Sequence, residues 1–500
     1  MTGTRALIPA LLSFRGVCAF WIAYSLVHAG FRLAVSPTLS RDDNAASVLA
    51  QDLALGYIRQ PPLYEWLLWL SQQIFGTGIA SNLAVRYALI AALGLATFGA
   101  TRAAAKDERI AALASLSLVF SYQVGWTFHE WGTHTLLLSI ACVASVHAAI
   151  RFFERAGGGR AVLLGFALAL GLYSKFNYVL LPAGLLLAAL SLRELRPRLI
   201  DARLVISVAL ALVLFTPYLY WLAGMKGDIV ALAASQLITI DAPHWERALY
   251  GLWRLVITLV LFLMPWLPLV VMLAGGAFVR PPAGAPAAGV VERLVLRTMI
   301  LAAILLAAVI AATGATNIRL GYMHPILIVA PVYVFARIAR LGLSEDRARR
   351  FVVFAVAMAI LALGCRFLSV TDNIFTRGRS FNVLIPYAGL AEALERRGIT
   401  DGTLVSPDER DAANLRAFLP NLRVVAGSLR LERPARRPSD ERSCVLVWAR
   451  GQDSAAQQLA PIETLVVERI EIAARPSRFL AARGGTWFLA RLDPKLPVCS

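Results

Sequence analysis

Along most of this chain apolar residues run together in long blocks, and charge is confined to short clusters between them. A bilayer span needs roughly 17–25 mostly apolar residues. Eleven windows of that character begin near Phe14, Leu83, Ile110, His134, Ala161, Tyr178, Leu204, Trp253, Leu296, Tyr322 and Arg350. The fifth and sixth are short and read equally as one broken helix. From about Thr371 the pattern changes to short alternating runs bounded by charge, at 403–406, 422–425, 444–448, 464–472 and 487–492. Helical periodicity appears between them at 387–397 and 409–419. Period-two alternation marks strands and the 3.6-residue period marks helices. The pattern therefore predicts a mainly α fold: a polytopic transmembrane helical bundle of about eleven spans over 1–370, then a small soluble α/β domain over 371–500.

Two segments between spans are long, 36–82 and 223–252, and both fall on the outer side. The first predicts a short helix over 45–57 and a second over 63–75. Pro61-Pro62 opens the second, in a first turn where the missing proline N–H is not needed. Trp66, Trp69 and Phe75 suit a helix lying at head-group level. The 430–442 segment, rich in Arg and Pro, reads as a surface loop, and 281–289 as a cytoplasmic linker.

Composition sharpens this picture. Hydrophobic residues make up 58%, charged residues 16%, and mean hydropathy is +0.65; a soluble globule carries about 25% charged residues. The net charge of +18 would suggest nucleic acid in a soluble protein. Here the cations concentrate in alternate loops, such as Arg102-Lys106-Arg109, Arg151-Arg155-Arg160 and Arg193-Arg196-Arg198-Arg203. The opposite loops, with Arg32, Arg41, Arg59, Arg86, Lys175 and Lys226, are poorer. Cytoplasmic loops are the basic ones, which predicts a cytoplasmic N-terminus, an outer C-terminal domain and no nucleic-acid partner. Arg5 and Arg15 precede an apolar run without a convincing cleavage pattern, so this end reads as an uncleaved first helix. Cys18, Cys142 and Cys365 lie in or beside spans. Cys444 and Cys499 lie in the tail, where they form a disulfide or remain two thiols.

Four clusters can carry chemistry. Arg41-Asp42-Asp43-Asn44 places two carboxylates just outside the first span, where such charge marks a functional site by default. They can bind a divalent cation or deprotonate a hydroxyl, and read equally as a solvated turn capping a helix. Arg59-Gln60 before the proline pair can grip a phosphate, or anchor the chain at the lipid surface. Phe128 to Thr135 brings His129, Glu130 and His134 into one outer turn; without HExxH spacing it does not support zinc-protease chemistry. Lys175 with Asn177, and Arg319 with Tyr322 and His324, place cations at outer span ends. There they can stabilise a departing phosphate or simply fix topology. No Walker, GxSxG or paired CxxC motif occurs.

Taken in order, these pieces resemble the GT-C superfamily of membrane glycosyltransferases. The likeness is to family 39, with its protein O-mannosyltransferases, the aminoarabinose transferase acting on lipid A, and the transferases modifying lipopolysaccharide core. An acidic pair in the first outer loop, here Asp42-Asp43, is followed by Gly56-Tyr57, Gln60-Pro61-Pro62-Leu63-Tyr64-Glu65-Trp66 and Phe75-Gly76. Thr133-His134-Thr135, Ser174 to Tyr178, Phe215-Thr216-Pro217-Tyr218 and Arg319 to Pro325 are similar to further landmarks. Asn44-Ala45-Ala46 after the acidic pair, and Arg59-Gln60 before the prolines, depart from many relatives.

The resemblance implies an inverting hexosyl or pentosyl transfer on the outer face of a bacterial inner membrane. The donor would be a polyprenyl-phosphate sugar, and the acceptor a hydroxyl of a lipid, lipopolysaccharide or other glycan, or protein. Asp42 and Asp43 would be catalytic, with Glu130. Arg59, Lys175, Arg319 and His324 would hold the donor phosphate, and Gln60, His134, Asn177 and Tyr322 would support them. A divalent cation, Mg or Mn, is a candidate cofactor on Asp42 and Asp43; membrane lipids are the surrounding partner. Two rival classes remain. A transporter or flippase should show mid-span charges and an internal repeat, which the sequence lacks. An assembly protein would have no use for the acidic pair.

Overall fold

A computed structural model describes residues 9–57, 59–225, 236–281, 283–370, 384–429, 443–473 and 484–499. Arg5, Lys226, Thr371 and the 430–442 loop lie outside the described residues, as do parts of the 223–252 and 281–289 segments.

In chain order the helices are α1 (Phe14–Val35), α2 (Asp42–Leu49), α3 (Leu63–Phe75), α4 (Ile79–Ala105), α5 (Glu108–Leu116), α6 (Thr133–Glu154) and α7 (Gly158–Leu172). There follow α8 (Leu180–Ser191), α9 (Ala202–Gly224), α10 (His244–Leu263), α11 (Trp266–Ala274), α12 (Val290–Thr313), α13 (Ala330–Leu341) and α14 (Glu345–Val370). Among the described residues, α1, α4, α6, α9, α12 and α14 are each long and apolar enough to cross a membrane. Three bent pairs raise the number to nine if each is one span: Glu108–Phe120 with Gln123–Glu130, α10 with α11, and Leu320–Leu327 with α13, bent by 61°, 47° and 42°. The second bend falls at Pro265, whose missing N–H interrupts the helical ladder. The windows near Ala161 and Tyr178 form apolar helices, Gly158–Leu172 and Phe176–Ser191, that are shorter than the long spans. Six to nine spans are thus present by length and composition, where the sequence predicts about eleven.

The chain divides into two compact units. One comprises Met1–Ser25, Ile58–Pro61 and Ala88–Ala362. Its helices approach closely through small residues, as expected where lipid offers no hydrophobic drive for association. A Cβ on Gly165 of α7 would stand 2.8 Å from the Ser207 carbonyl of α9, and one on Gly184 of α8 would stand 2.8 Å from the Thr298 carbonyl of α12. Phe152, Leu164, Leu185, Leu192 and Leu294 fill the resulting core. The buried Trp21 indole is satisfied by Ser115 Oγ at 2.8 Å, which itself donates to the Gly94 carbonyl at 2.7 Å.

The other unit comprises Leu26–Tyr57, Pro62–Tyr87 and Leu363–Ser500. It holds α2, α3, α15 (Tyr387–Glu395) and α16 (Glu409–Phe418), with strands β1 (Gly402–Ser406), β2 (Leu422–Ala426), β3 (Cys444–Ala449), β4 (Val467–Ile472) and β5 (Gly485–Leu492). The sheet order is β2-β1-β3-β5-β4. β1 is parallel to β2 and β3, and β5 is antiparallel to β3 and β4. The expected strand at 464–472 begins only at Val467, because Ile462–Thr464 closes a 3₁₀ turn. Val405, Val425, Leu446, Trp448 and Ala490 form the core, together with Cys444 and Cys499. These two cysteines are disulfide-bonded, with Cα atoms 6.0 Å apart. Cys18, Cys142 and Cys365 are free thiols.

The outer helix expected over 45–57 runs instead from Asp42 to Leu49. Two carboxylates in its first turn favour an earlier start, since acidic groups stabilise a helix N-terminus. Packing against α16 explains the rest, because a helix this short is not stable on its own. The helix expected over 63–75 forms with those bounds.

Candidate active site

In the unit that contains α2, the two adjacent carboxylates have different fates. Arg41 adopts a φ of 51° immediately before the helix, a conformation uncommon for residues other than glycine. The helix then turns Asp42 outward, where it is exposed, and Asp43 inward, where it is 2% exposed. Asp43 Oδ1 accepts from Arg86 Nη2 of α4 at 2.5 Å. Burial pushes the Asp43 carboxyl above its ordinary range; the Arg86 and Arg32 guanidiniums pull against that, and Asp42 adds to it. The buried Tyr64 hydroxyl of α3 is likewise pushed up, chiefly by burial and then by the Asp43 charge, so it stays protonated. Arg32 donates to the carbonyls of Ser36 and Thr38, tying down the chain that leads into the acidic helix.

Arg86 and Arg32 enter the sequence reading only as topological cations. Their signal is nonetheless there, since an arginine within an apolar run needs a partner inside the fold.

The other unit assembles the second half of the predicted set around α6. Lys175 Nζ donates to Thr135 Oγ1 at 2.9 Å. One turn along the same helix, Ser139 Oγ lies 2.8 Å from His324 Nδ1 and donates to the Thr135 carbonyl at 2.7 Å. The imidazole is buried between the Phe128 and Phe262 rings, whose centroids are 5.5 and 5.0 Å away. A Cβ on Gly321 would stand 3.9 Å from Lys175 Nζ, so the turn carrying Arg319 and Tyr322 runs beside that ammonium. Arg319 Nε donates to Asn317 Oδ1 at 2.9 Å. The Asn177 amide is buried with neither its oxygen nor its nitrogen bonded to the protein, and the buried Gln60 Oε1 is in the same state. Buried polar groups are normally satisfied, and these amides sit in the segments that the sequence singles out.

Ser139 is absent from the predicted set, because a serine within an apolar helix leaves no pattern. His134 Nδ1 lies 3.2 Å from Thr133 Oγ1. Glu130 and Arg59 are half-buried. The most enclosed histidine of the outer turn is His129, whose Nε2 lies 2.7 Å from the Tyr24 hydroxyl.

Among the described residues no group of three or more His, Cys, Asp or Glu side chains is placed to hold a metal ion. Magnesium and manganese ask for several oxygen ligands. Here the donor set is two carboxylates, of which one is already neutralised by Arg86. The residues do not fit a dedicated cation cage.

Apolar spans, an acidic helix and a small disulfide-bonded domain are features this chain shares with membrane glycosyltransferases, to which the comparisons find it similar. Residues 59–221 match the model of the family described as "Dolichyl-phosphate-mannose-protein mannosyltransferase". It is 28% identical over 437 residues to the lipopolysaccharide core galacturonosyltransferase RgtB of Rhizobium johnstonii, covering 86% of each chain. It is also 28% identical over 413 residues to RgtA of the same organism, covering 81% of this chain and 80% of that one. The crystal structure of ArnT from Cupriavidus metallidurans bound to undecaprenyl phosphate shares the fold, with a TM-score of 0.58 at 16% identity over 96% of this chain and 98% of that one. Its apo form gives a TM-score of 0.59 at 15% identity with the same coverage.

Proposed function

We propose that this protein transfers a sugar from a polyprenyl-phosphate carrier to a hydroxyl acceptor at the outer face of a bacterial inner membrane. The observation that carries this reading is the division of labour on α2: an exposed Asp42 beside an Asp43 held by Arg86. Asp42 takes the proton as the acceptor oxygen attacks the anomeric carbon. The bond from that carbon to the phosphate oxygen breaks on the opposite face, which inverts the configuration. The electron pair leaves with the polyprenyl phosphate. Lys175, Arg319 and Arg59 are assigned to that phosphate, where charge develops, and His324 holds α6 in register with them. Asn177 and Gln60, with their unbonded amide atoms, are assigned to donor oxygens. Glu130, His134 and Tyr322 are assigned supporting roles.

The lipopolysaccharide-core relatives support a core glycan as acceptor and a uronosyl donor as the first sugar to try. A transporter reading is not favoured, since the relatives are transferases. The Cys444–Cys499 bond supports an oxidising compartment for the 371–500 domain, hence a cytoplasmic N-terminus and an odd span count. Counting α7, α8 and each bent pair as spans gives the eleven expected from sequence for residues 1–370, with outer loops 36–82 and 223–252.

The test is a transfer assay in liposomes with polyprenyl-phosphate galacturonate and other lipid-linked sugars, comparing the native chain with Asp42→Asn. A folded Asp42→Asn protein that keeps full turnover would remove Asp42 as base.

A further inference from the structure

The geometry points to the C-terminal domain as part of the catalytic scaffold: through Gln51, Asn414 and Arg416 it positions the acidic helix α2, and so aims Asp42. This rests on Asp42 being the base.

Three facts make α2 dependent on what it packs against. It is eight residues long, its N-cap residue Arg41 makes no side-chain capping bond, and the chain enters it through a positive φ. An isolated helix of that length is marginal in water. Its direction must therefore be set from outside, and α16 and β2 contribute to this beside the Asp43–Arg86 and Ser47–Asn82 contacts with α4.

At the entrance to α2, the fully buried Asn414 of α16 works in three directions. Its Oδ1 accepts from Leu39 N at 2.7 Å, and its Nδ2 donates to Asn44 Oδ1 at 3.2 Å and to the Leu39 carbonyl at 3.4 Å. At the exit, Arg416 Nη1 donates to the Ser47 carbonyl at 2.9 Å. That carbonyl is among the last four of the helix, which lack intrahelical partners and carry the negative end of its dipole. Arg416 Nη2 reaches on to Gln72 Oε1 of α3 at 3.1 Å, and Thr77 Oγ1 donates to the Arg416 carbonyl at 3.2 Å. Just beyond α2, the Gln51 amide donates to the Val424 carbonyl and accepts from Val424 N, both at 2.9 Å. β2 is an edge strand of the sheet, so this side chain supplies the pair of bonds that a neighbouring strand would make.

Asn414, Arg416 and Gln51 are 0, 6 and 7% exposed. Buried polar groups joined to two segments fix one relative orientation, and leaving one partner unpaired is costly. None of the three needs to touch substrate; each is a positioning residue.

The experiment uses the full chain in lipid nanodiscs. Arg416→Gln, Asn414→Ala and the isosteric Gln51→Glu are compared with Asp42→Asn for kcat and donor KM. Hydrogen exchange of residues 39–51 and retention of the Cys444–Cys499 bond are followed alongside. If the three residues aim Asp42, kcat falls about tenfold to a hundredfold, as a misplacement of about 1 Å can cost, while donor KM stays put. Exchange rises in 39–51 with the sheet still protected, and Arg416→Lys recovers most of the turnover. Faster exchange in 39–51 at unchanged kcat, beside an inactive Asp42→Asn, overturns the positioning role and leaves the base assignment standing. A fully active Asp42→Asn overturns both. Gln51→Glu keeps one bond of its pair and the native side-chain volume, so it reads the effect if a harsher variant unfolds.

Discussion

On α2 a carboxylate is buried against a guanidinium, Asp43 with Arg86. On α6 the cation is held instead by a neutral hydroxyl, Lys175 on Thr135. The first arrangement spends its charge inside the protein and leaves the neighbouring Asp42 facing outward. In the second, the hydroxyl orients the ammonium and itself takes none of the charge. The proposed function assigns a base to the first and an anion to the second. The buried, unbonded amide of Asn177, two residues from Lys175, adds neutral donors to the receiving side.

The largest effect should come from the exposed member of the acidic pair. Asp42→Asn is expected to lower turnover by about two to four orders of magnitude with donor affinity unchanged, read from kcat and from a separate lipid-phosphate binding assay. Arg86→Ala tests the buried member. It leaves Asp43 charged and unpaired, which costs about 3–5 kcal/mol of stability, visible as a large drop in melting temperature. Adding Asp43→Asn should return part of that loss, because the stranded charge is then gone. If Arg86→Ala melts like the native chain, Asp43 is not held as described.

Another buried carboxylate, Asp411 on α16, offers a contrast within the same unit. Tyr387 donates to its Oδ1, Arg410 Nε stands 3.5 Å away, and its other oxygen is buried without a partner. Burial, with the Asp408 charge, lifts its carboxyl from 3.8 to about 6. Between those values the folded chain keeps a proton that the unfolded chain has lost, so stability falls as pH rises through the window and is flat above it. The loss is about 3 kcal/mol. Asp411→Asn should flatten that slope in thermal melts across about pH 4 to 7, and an unchanged slope would show that another group sets it.

On the cationic side, Lys175→Ala removes a charge-assisted contact of about 1.5–3 kcal/mol. Donor KM should rise about tenfold to a hundredfold, with a smaller change in kcat if the contact is already made in the ground state. A change confined to kcat would place the ammonium on the leaving group alone.

Much of this contrast is legible in the amino-acid sequence alone. The alternation of long apolar windows with basic loops locates the spans, and period-two runs locate four of the five strands to within two residues. Asp42, Lys175 and Arg319 stand out because charge beside a membrane needs a reason. The pairings are not legible. Asp43 and Arg86 lie on different helices, and no periodicity connects them. Ser139 and Thr135 are ordinary hydroxyls on an apolar helix. The acidic helix starts at Asp42, where its own carboxylates favour a first turn and Asn414 of the distant tail bonds Leu39 and Asn44, so the apolar pattern alone misplaces the start at 45. The span count stays open by sequence because the windows near Ala161 and Tyr178 are short and three others bend.

The smallest effect is expected from removing divalent cations, and it bears directly on why the two sites differ. An acidic pair in a protein whose proposed donor carries a phosphate invites a metal, which would screen the carboxylates and polarise the phosphate together. Here Arg86 already screens Asp43 from inside the fold, and the proposed function gives the positive charge for the phosphate to Lys175 and Arg319. Their donors are fixed by side chains that no chelator removes. Turnover should therefore be unchanged when the purified protein is dialysed against EDTA, and added Mg or Mn should not raise it. If chelation abolishes transfer and Mg restores it, Asp43 must leave Arg86 to bind the ion. Turnover of Arg86→Lys would then respond to Mg concentration differently from the native chain. In that case the acidic helix, and not the lysine, would carry the phosphate, and the division between a base-presenting site and an anion-receiving one would be lost.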